Sequence, residues 1–126
     1  MDEPPWPIED IPDGDSLYMR VHCTKIVNGE PISSAFCDIG RGMSTNWKKY
    51  CVTAEEARLK AREPAKNGII EFVVKAIRSI PPLSVEHTPD IERKDRSHAE
   101  VIGEKDAEVR MKLGRAFQWA IKLVKP

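Results

Sequence analysis

Leu17-Tyr18-Met19-Arg20-Val21-His22-Cys23-Thr24-Lys25-Ile26-Val27 alternates apolar and polar side chains. Leu17, Met19, Val21 and Cys23 point one way; Tyr18, Arg20, His22 and Thr24 point the other. A period of two marks a strand with one face on a core and the other toward polar surroundings. The pattern predicts a first strand over 17–27. Asn28-Gly29 follows, and both residues tolerate positive φ, so a turn is expected there. A short second strand, 32–37, is expected to pair back as a hairpin. Asp38-Ile39-Gly40-Arg41-Gly42 reads as a loop, and 43–52 as an irregular or strand-like segment.

Further along, Thr53-Ala54-Glu55-Glu56 is a capping box, in which the Thr hydroxyl accepts from the Glu56 backbone N–H. It predicts a helix to about Arg62, ended by Pro64. Asn67-Gly68 breaks the chain before a β-branched run, 69–77. Pro81-Pro82 separates that run from strands at 83–87 and 97–102, and Gly103 closes the last one. A final helix is expected over 104–124. Val109, Leu113, Ala116, Phe117, Ala120, Ile121 and Val124 recur at three and four, and acids (Glu104, Asp106, Glu108) precede bases (Lys122, Lys125), as the helix dipole favours. Gly114 inside it suggests close packing, since Gly costs about 1 kcal/mol against Ala in a helix. The expected fold is therefore α+β. It is a single small domain, with an antiparallel or mixed sheet of about five strands covered on one face by two helices, the C-terminal one long.

The chain has 126 residues, 40% hydrophobic and 32% charged, with a formal net charge of zero. That suits one compact globular domain with a core of its own. It gives no bulk electrostatic case for nucleic acid or anionic lipid. The charge is unevenly placed. Residues 1–16 hold six acids (Asp2, Glu3, Glu9, Asp10, Asp13, Asp15) and no base, leaving 20 bases against 14 acids in 17–126. With Pro4, Pro5, Pro7 and Pro12 among those acids, 1–16 reads as an extended acidic tail on a domain spanning 17–126. Such a tail is either solvated or folded back on the basic body. Three cysteines (Cys23, Cys37, Cys51) with no CxxC pair argue for reduced thiols rather than a disulfide framework, hence a cytoplasmic protein. The N-terminal stretch lacks the basic and apolar regions of a signal peptide, and no apolar run is long enough to span a bilayer.

The candidate chemistry lies in Leu83–Asp90 and Ser97–Gly103, where His87 and His98 each neighbour a carboxylate. Histidine with carboxylate is the usual pairing for proton transfer and metal binding. Arg20 and His22 share a strand face, where the guanidinium can hold an anion while the imidazole moves a proton. His98 and Glu100 share another. Were those strands neighbours, Arg20, His22, His98 and Glu100 would converge on a phosphoester or ribosyl-transfer site. The plainer reading is a polar outer face of a half-covered sheet. His87-Thr88-Pro89-Asp90 reads as a structural turn.

Metal binding is not signalled. The His-x-Glu of His98-Ala99-Glu100 lacks the downstream Pro-Cys-x-x-Cys of zinc deaminases, and there is no HExxH. No cofactor motif is present. Nucleophilic catalysis is not signalled either: Ser33 and Ser34 lack a GxSxG elbow, and Cys23 is expected on the strand face opposite His22. Arg41, Lys48 and Lys49 around Trp47 and Tyr50 are compatible with single-strand stacking. A partly buried Trp among solvated lysines explains them as well.

Tyr18–His22, Ser34-Ala35-Phe36, Met43-Ser44-Thr45, Glu86–Pro89 and Ser97–Gly103 together resemble a group of small bacterial proteins of uncharacterised activity encoded beside conflict and defence systems. The resemblance spans most of 17–124 and implies an accessory role with a protein partner. Arg20 or His22, then Ser44-Thr45, then Glu100, also resemble in their order the ADP-ribosyltransferases, which place an Arg or His, a Ser-Thr and a Glu on successive strands. Two readings follow. One is an accessory or interaction module of a bacterial multi-protein system. The other is a small enzyme acting on a nucleotide or phosphoester through Arg20, His22, His98 and Glu100, transferase-like or nuclease-like. A concave pocket gathering those four residues favours the enzyme; an exposed Trp6, Trp47 or Trp119 favours the module.

Overall fold

The first strand stops at His22. In the computed structural model, which describes residues 3–123, β1 spans Ser16–His22 and a 3-10 turn, Cys23–Lys25, follows it. Asp2, Val124 and Lys125, named above, lie outside the described residues. The turn leads into a two-residue ribbon, β2 (Ile26–Val27) and β3 (Glu30–Pro31), closed by Asn28 and Gly29 at φ of 54° and 78°. Two successive positive φ values make this the hairpin turn expected of Asn-Gly. The return strand is Glu30–Pro31 rather than 32–37, however. Ser33–Ala35 is a 3-10 turn instead.

The remaining strands and α-helices are β4 (Met43–Trp47), α1 (Ala54–Leu59), β5 (Asn67–Val73), α2 (Val74–Arg78), β6 (Ser84–His87), β7 (His98–Ile102), α3 (Ala107–Ala116) and β8 (Phe117–Ile121). Thr53 caps α1 as expected: its hydroxyl accepts from Glu56 N–H at 3.1 Å, while the Glu56 carboxylate reaches back to Val52 N–H at 3.1 Å. Asn67-Gly68 opens β5 rather than breaking the chain. A Cβ on Gly68 would meet the Trp119 ring at 2.8 Å and the Ile121 carbonyl at 3.0 Å, so only glycine lets β8 lie this close.

Six strands form one antiparallel sheet in the order β6-β7-β4-β1-β5-β8. The α+β class stands, with one strand and one helix more than expected. The long C-terminal helix is corrected. α3 ends at Ala116, and Phe117, Trp119 and Ile121 continue as an edge strand opposite Phe72, Ile70 and Ile69. Phe117, Ala120 and Ile121 fit a helical stripe, but Phe117, Trp119 and Ile121 fit a period of two equally well. The open edge of β5 decides between them by supplying ladder bonds and an edge-on aromatic contact from Phe72 to Phe117. Gly114 is not a close-packing point either, since a Cβ there would meet only Phe36 at an ordinary 3.7 Å.

Helices cover both faces, not one. On the main face Leu17, Met19, Val21, Met43, Trp47, Phe72 and Val101 pack against Val74 and Ile77 of α2 and Val109 and Leu113 of α3. On the other face α1 sets Ala57 over Tyr18, Cys51 and Ile69 in a smaller cluster. That short helix leaves the polar side chains of β1, β4 and β7 beside it uncovered.

The acidic leader is folded back. Ile11 is buried in the main core. Arg78 Nη1 donates to Ile11 O at 2.6 Å and to Asp13 Oδ1 at 2.8 Å. Trp47 Nε1 donates to Asp15 Oδ2 at 2.9 Å. Glu9 meets Lys49 at 2.7 Å and accepts from the Tyr50 hydroxyl. Among the described residues no helix is long and apolar enough to cross a membrane.

Candidate functional site

The two flanks of β1 differ. Against β5 its ladder runs over seven registers, Ser16↔Val73 to His22↔Asn67. Against β4 it has two, Leu17↔Trp47 and Tyr18↔Asn46. Beyond them the strands part, and a cleft of about 460 Å³ opens between them. Met19 to His22 line one wall and Met43 to Asn46 the other. Ser34, Cys37 and Ile39, between the ribbon and β4, close one end. Lys60, Asp90, Arg93 and Asp95 close the other.

Register then decides which candidates meet. Asn46 pairs with Tyr18 on one side and His98 on the other, and Ser44 pairs with Glu100. Arg20, His22, Ser44, Asn46, His98 and Glu100 therefore share the sheet face opposite the main core. Arg20, His22 and His98 line the cleft, so three of the four candidates are brought together. Glu100 is half-buried on β7 between Ser44 and Glu86, outside the cleft lining.

Arg20 is anchored through Asn46. Its Nη1 donates to Asn46 Oδ1 at 3.4 Å and to Ala57 O of α1 at 3.5 Å. Asn46 Nδ2 donates in turn to Asp95 Oδ2 at 3.0 Å and Ser97 Oγ at 2.9 Å. Asp95 Oδ1 accepts from Ser97 Oγ at 2.6 Å and from Ser97 N–H at 3.0 Å, with Lys60 Nζ at 3.3 Å. Burial pulls the Arg20 guanidinium below its ordinary pKa while nearby Asp95 works the other way. Burial also pushes the Asp95 carboxyl up, but the Ser97 hydroxyl and Lys60 outweigh it and leave the group below its ordinary value. The carboxylate is thus committed to its own neighbours, and the guanidinium is partly desolvated at the cleft wall.

The two cleft histidines are held in opposite tautomers. His22 Nδ1 accepts from Thr24 N–H at 3.2 Å, with the Thr24 hydroxyl at 2.9 Å. A neutral His22 therefore carries its proton on Nε2, which lies 3.8 Å from Glu63. Cys23 does not turn away as expected. The strand ends before it, and its sulfur lies 3.7 Å from His22 Nδ1. His98 is reversed. Its Nδ1 lies 2.8 Å from the Thr88 carbonyl, which can only accept, so that nitrogen holds the proton. Nε2 is left as an acceptor, 3.3 Å from Ser44 Oγ.

His87 stands apart on the main-core face, opposite Ala99, as the buried end of β6 rather than part of an open turn. Its Nδ1 accepts from Glu9 N–H at 3.0 Å and its Nε2 faces Arg96 O at 2.7 Å. Trp47 meets it edge-on and Tyr50 stacks on it. Both nitrogens are used in holding the leader and the 90–97 loop, a structural role. The aromatic and basic cluster at 47–50 is likewise occupied. Trp47 is buried, and Lys49 lies over the Trp47 and Tyr50 rings while paired with Glu9.

Asn46, Lys60 and Asp95 carry no motif in the sequence. Asn46 had a signal, since it lies two positions from Ser44 and shares its strand face. Asp95 sat in a charged run that reads as solvated loop. The Ser44–His98 contact bridges 54 positions and follows no motif spacing. Among the described residues no three His, Cys, Asp or Glu side chains gather as a metal site. Compared with protein-family models, curated proteins and solved structures, the chain has no match.

Proposed function

We propose that this protein is a small enzyme that binds a nucleotide or another phosphoester in the cleft between β1 and β4. The observation that carries the reading is the meeting of Arg20, His22 and His98 on one cleft with Lys25, while Lys60 and Arg93 pair with the cleft's two acids, Asp95 at 3.3 Å and Asp90 at 3.8 Å. Asp90 and Asp95 also line it, but Asp95 is already engaged by Ser97, Asn46 and Lys60. A phosphate suits a partly desolvated guanidinium, because charge-assisted bonds replace the water it has lost. In this reading Arg20 binds the anion, His98 accepts a proton at Nε2 and later returns it, and His22 donates a hydrogen bond from Nε2. Glu100, next to Ser44 across the strand pair, lies outside the cleft lining and is assigned no contact with the phosphoester.

The ADP-ribosyltransferase-like order gains support from the topology. Arg20 and His22 on β1, Ser44-Thr45 on β4 and Glu100 on β7 stand on three consecutive strands of the sheet. An exposed tryptophan would favour the accessory module instead; Trp47 is buried and Trp6 and Trp119 are half-buried.

Titration calorimetry with ATP, ADP, NAD and p-nitrophenyl phosphate tests the proposal. At least one should bind, and Arg20→Gln should weaken it roughly 10- to 100-fold, the loss expected for a charged hydrogen bond. No heat from any of the four, or binding indifferent to Arg20→Gln, sinks it.

A further inference from the structure

We infer that Ser44 is a nucleophile, activated by His98 as general base, so that the cleft turns over a phosphoester through a covalent phosphoseryl step. The inference rests on the phosphoester reading of the cleft and adds a reaction course to it.

The geometry has three parts. The hydroxyl of Ser44 on β4 lies 3.3 Å from His98 Nε2 on the adjacent strand β7, within the range for a nucleophile and its base before substrate arrives. His98 Nδ1 donates to the Thr88 carbonyl at 2.8 Å, with the Thr88 hydroxyl at 3.0 Å. Thr88 N–H donates back to the His98 carbonyl at 3.0 Å, so orienting group and base hold each other in place. The Thr88 carbonyl thus does what a carboxylate does in the more familiar triads: it fixes the tautomer and leaves Nε2 free to take a proton. Finally, Ser44 and His98 both line the cleft, as does Arg20, which brings positive charge to the wall where a phosphoryl group gains negative charge in transit.

The step balances without a further reactant than water. Ser44 Oγ attacks phosphorus as its proton passes to His98 Nε2. The P–Oγ bond forms, the bond from phosphorus to the leaving oxygen breaks, and His98 returns the proton to that oxygen. Water then attacks the phosphoserine, giving a proton to His98, and Ser44 departs with it.

A fluorophosphonate probe tests this on the full chain, because P–Oγ replaces P–F with loss of HF. Intact-mass spectrometry should show one adduct, mapped to Ser44. Ser44→Ala should show none. His98→Asn keeps an amide donor for the Thr88 carbonyl but has no base at the Nε2 position, so it should label at least 10-fold more slowly with its melting temperature nearly kept. Absence of an adduct, an adduct on another residue, or equal rates for His98→Asn and wild type overturns the inference. If the variants fail to fold, the position of the wild-type adduct alone decides. The probe requires no nucleotide, so the two tests separate. Calorimetric binding without labelling removes the nucleophile and leaves the binding reading. Labelling without binding removes the phosphoester class.

Discussion

β1 has two flanks, and they are built for different purposes. Toward β5 it is laddered along its whole length, and Leu17, Met19 and Val21 join Ile70 and Phe72 in the main core. Toward β4 it is laddered only at its start, and the opening beyond collects Arg20, His22, Ser44, Asn46 and His98. One strand thus serves as scaffold on one edge and as cleft wall on the other. The difference shows where a small protein can place polar, partly desolvated groups: next to a fully satisfied ladder that holds their backbone still. It also separates the two late histidines. His87 and His98 face opposite sides of the β6–β7 pair, so one is spent on packing the leader and the other faces the cleft.

The closed flank should be the sensitive one for stability. Phe72 is fully buried between Phe36 and Phe117. Phe72→Ala should cost about 3–5 kcal/mol in urea unfolding. A cost under about 1 kcal/mol would mean that this flank is no better packed than the open one.

The polar wall of the cleft should answer to pH instead. Asp95→Asn should lose about 1–3 kcal/mol at pH 7, since Asn cannot accept from Ser97 and Asn46 as a carboxylate does. The folded Asp95 carboxyl lies below its ordinary value, so its contribution is complete above about pH 4, the ordinary carboxylate pKa. It is lost as pH falls through the lower folded value. The gap between variant and wild type should therefore close in acid. A gap that stays constant with pH would show that shape, not charge, holds this wall.

The smallest effect contrasts two thiols. Cys37 is exposed at the cleft end, whereas Cys51 is buried under α1 with its thiol pushed up to about 11 by burial. Iodoacetamide at pH 8 should modify Cys37 and spare Cys51 in the native protein, read by peptide mass. Equal modification would mean that α1 opens as readily as the cleft.

Much of this arrangement was legible in the chain. The alternation in 17–22 correctly put Arg20 and His22 on one face, the Asn28-Gly29 turn came where both residues take positive φ, and the Thr53 capping box started α1. The C-terminal segment was not legible, because its apolar residues satisfy the helical and the extended period at once. The leader's return to the body has no signature in the chain, since its acids suit solvent as well as Lys49 and Arg78. For the site, Arg20, His22, His98 and Glu100 were legible as chemistry-bearing residue types on strand faces. That Glu100 stays outside the cleft, and that Asn46 and Asp95 belong to it, was not.

By itself the sequence determined the local elements: strand faces, turns and caps depend on neighbours within a few positions, and those neighbours are written in order. Only the tertiary structure decided the strand order β6-β7-β4-β1-β5-β8, the parting of β1 from β4, and hence the cleft. Outside the β6–β7 hairpin, the sheet pairs residues 28 to 58 positions apart, and that pairing depends on which edges are free and which faces need cover. Those are properties of the assembled sheet, and no window of the chain contains them.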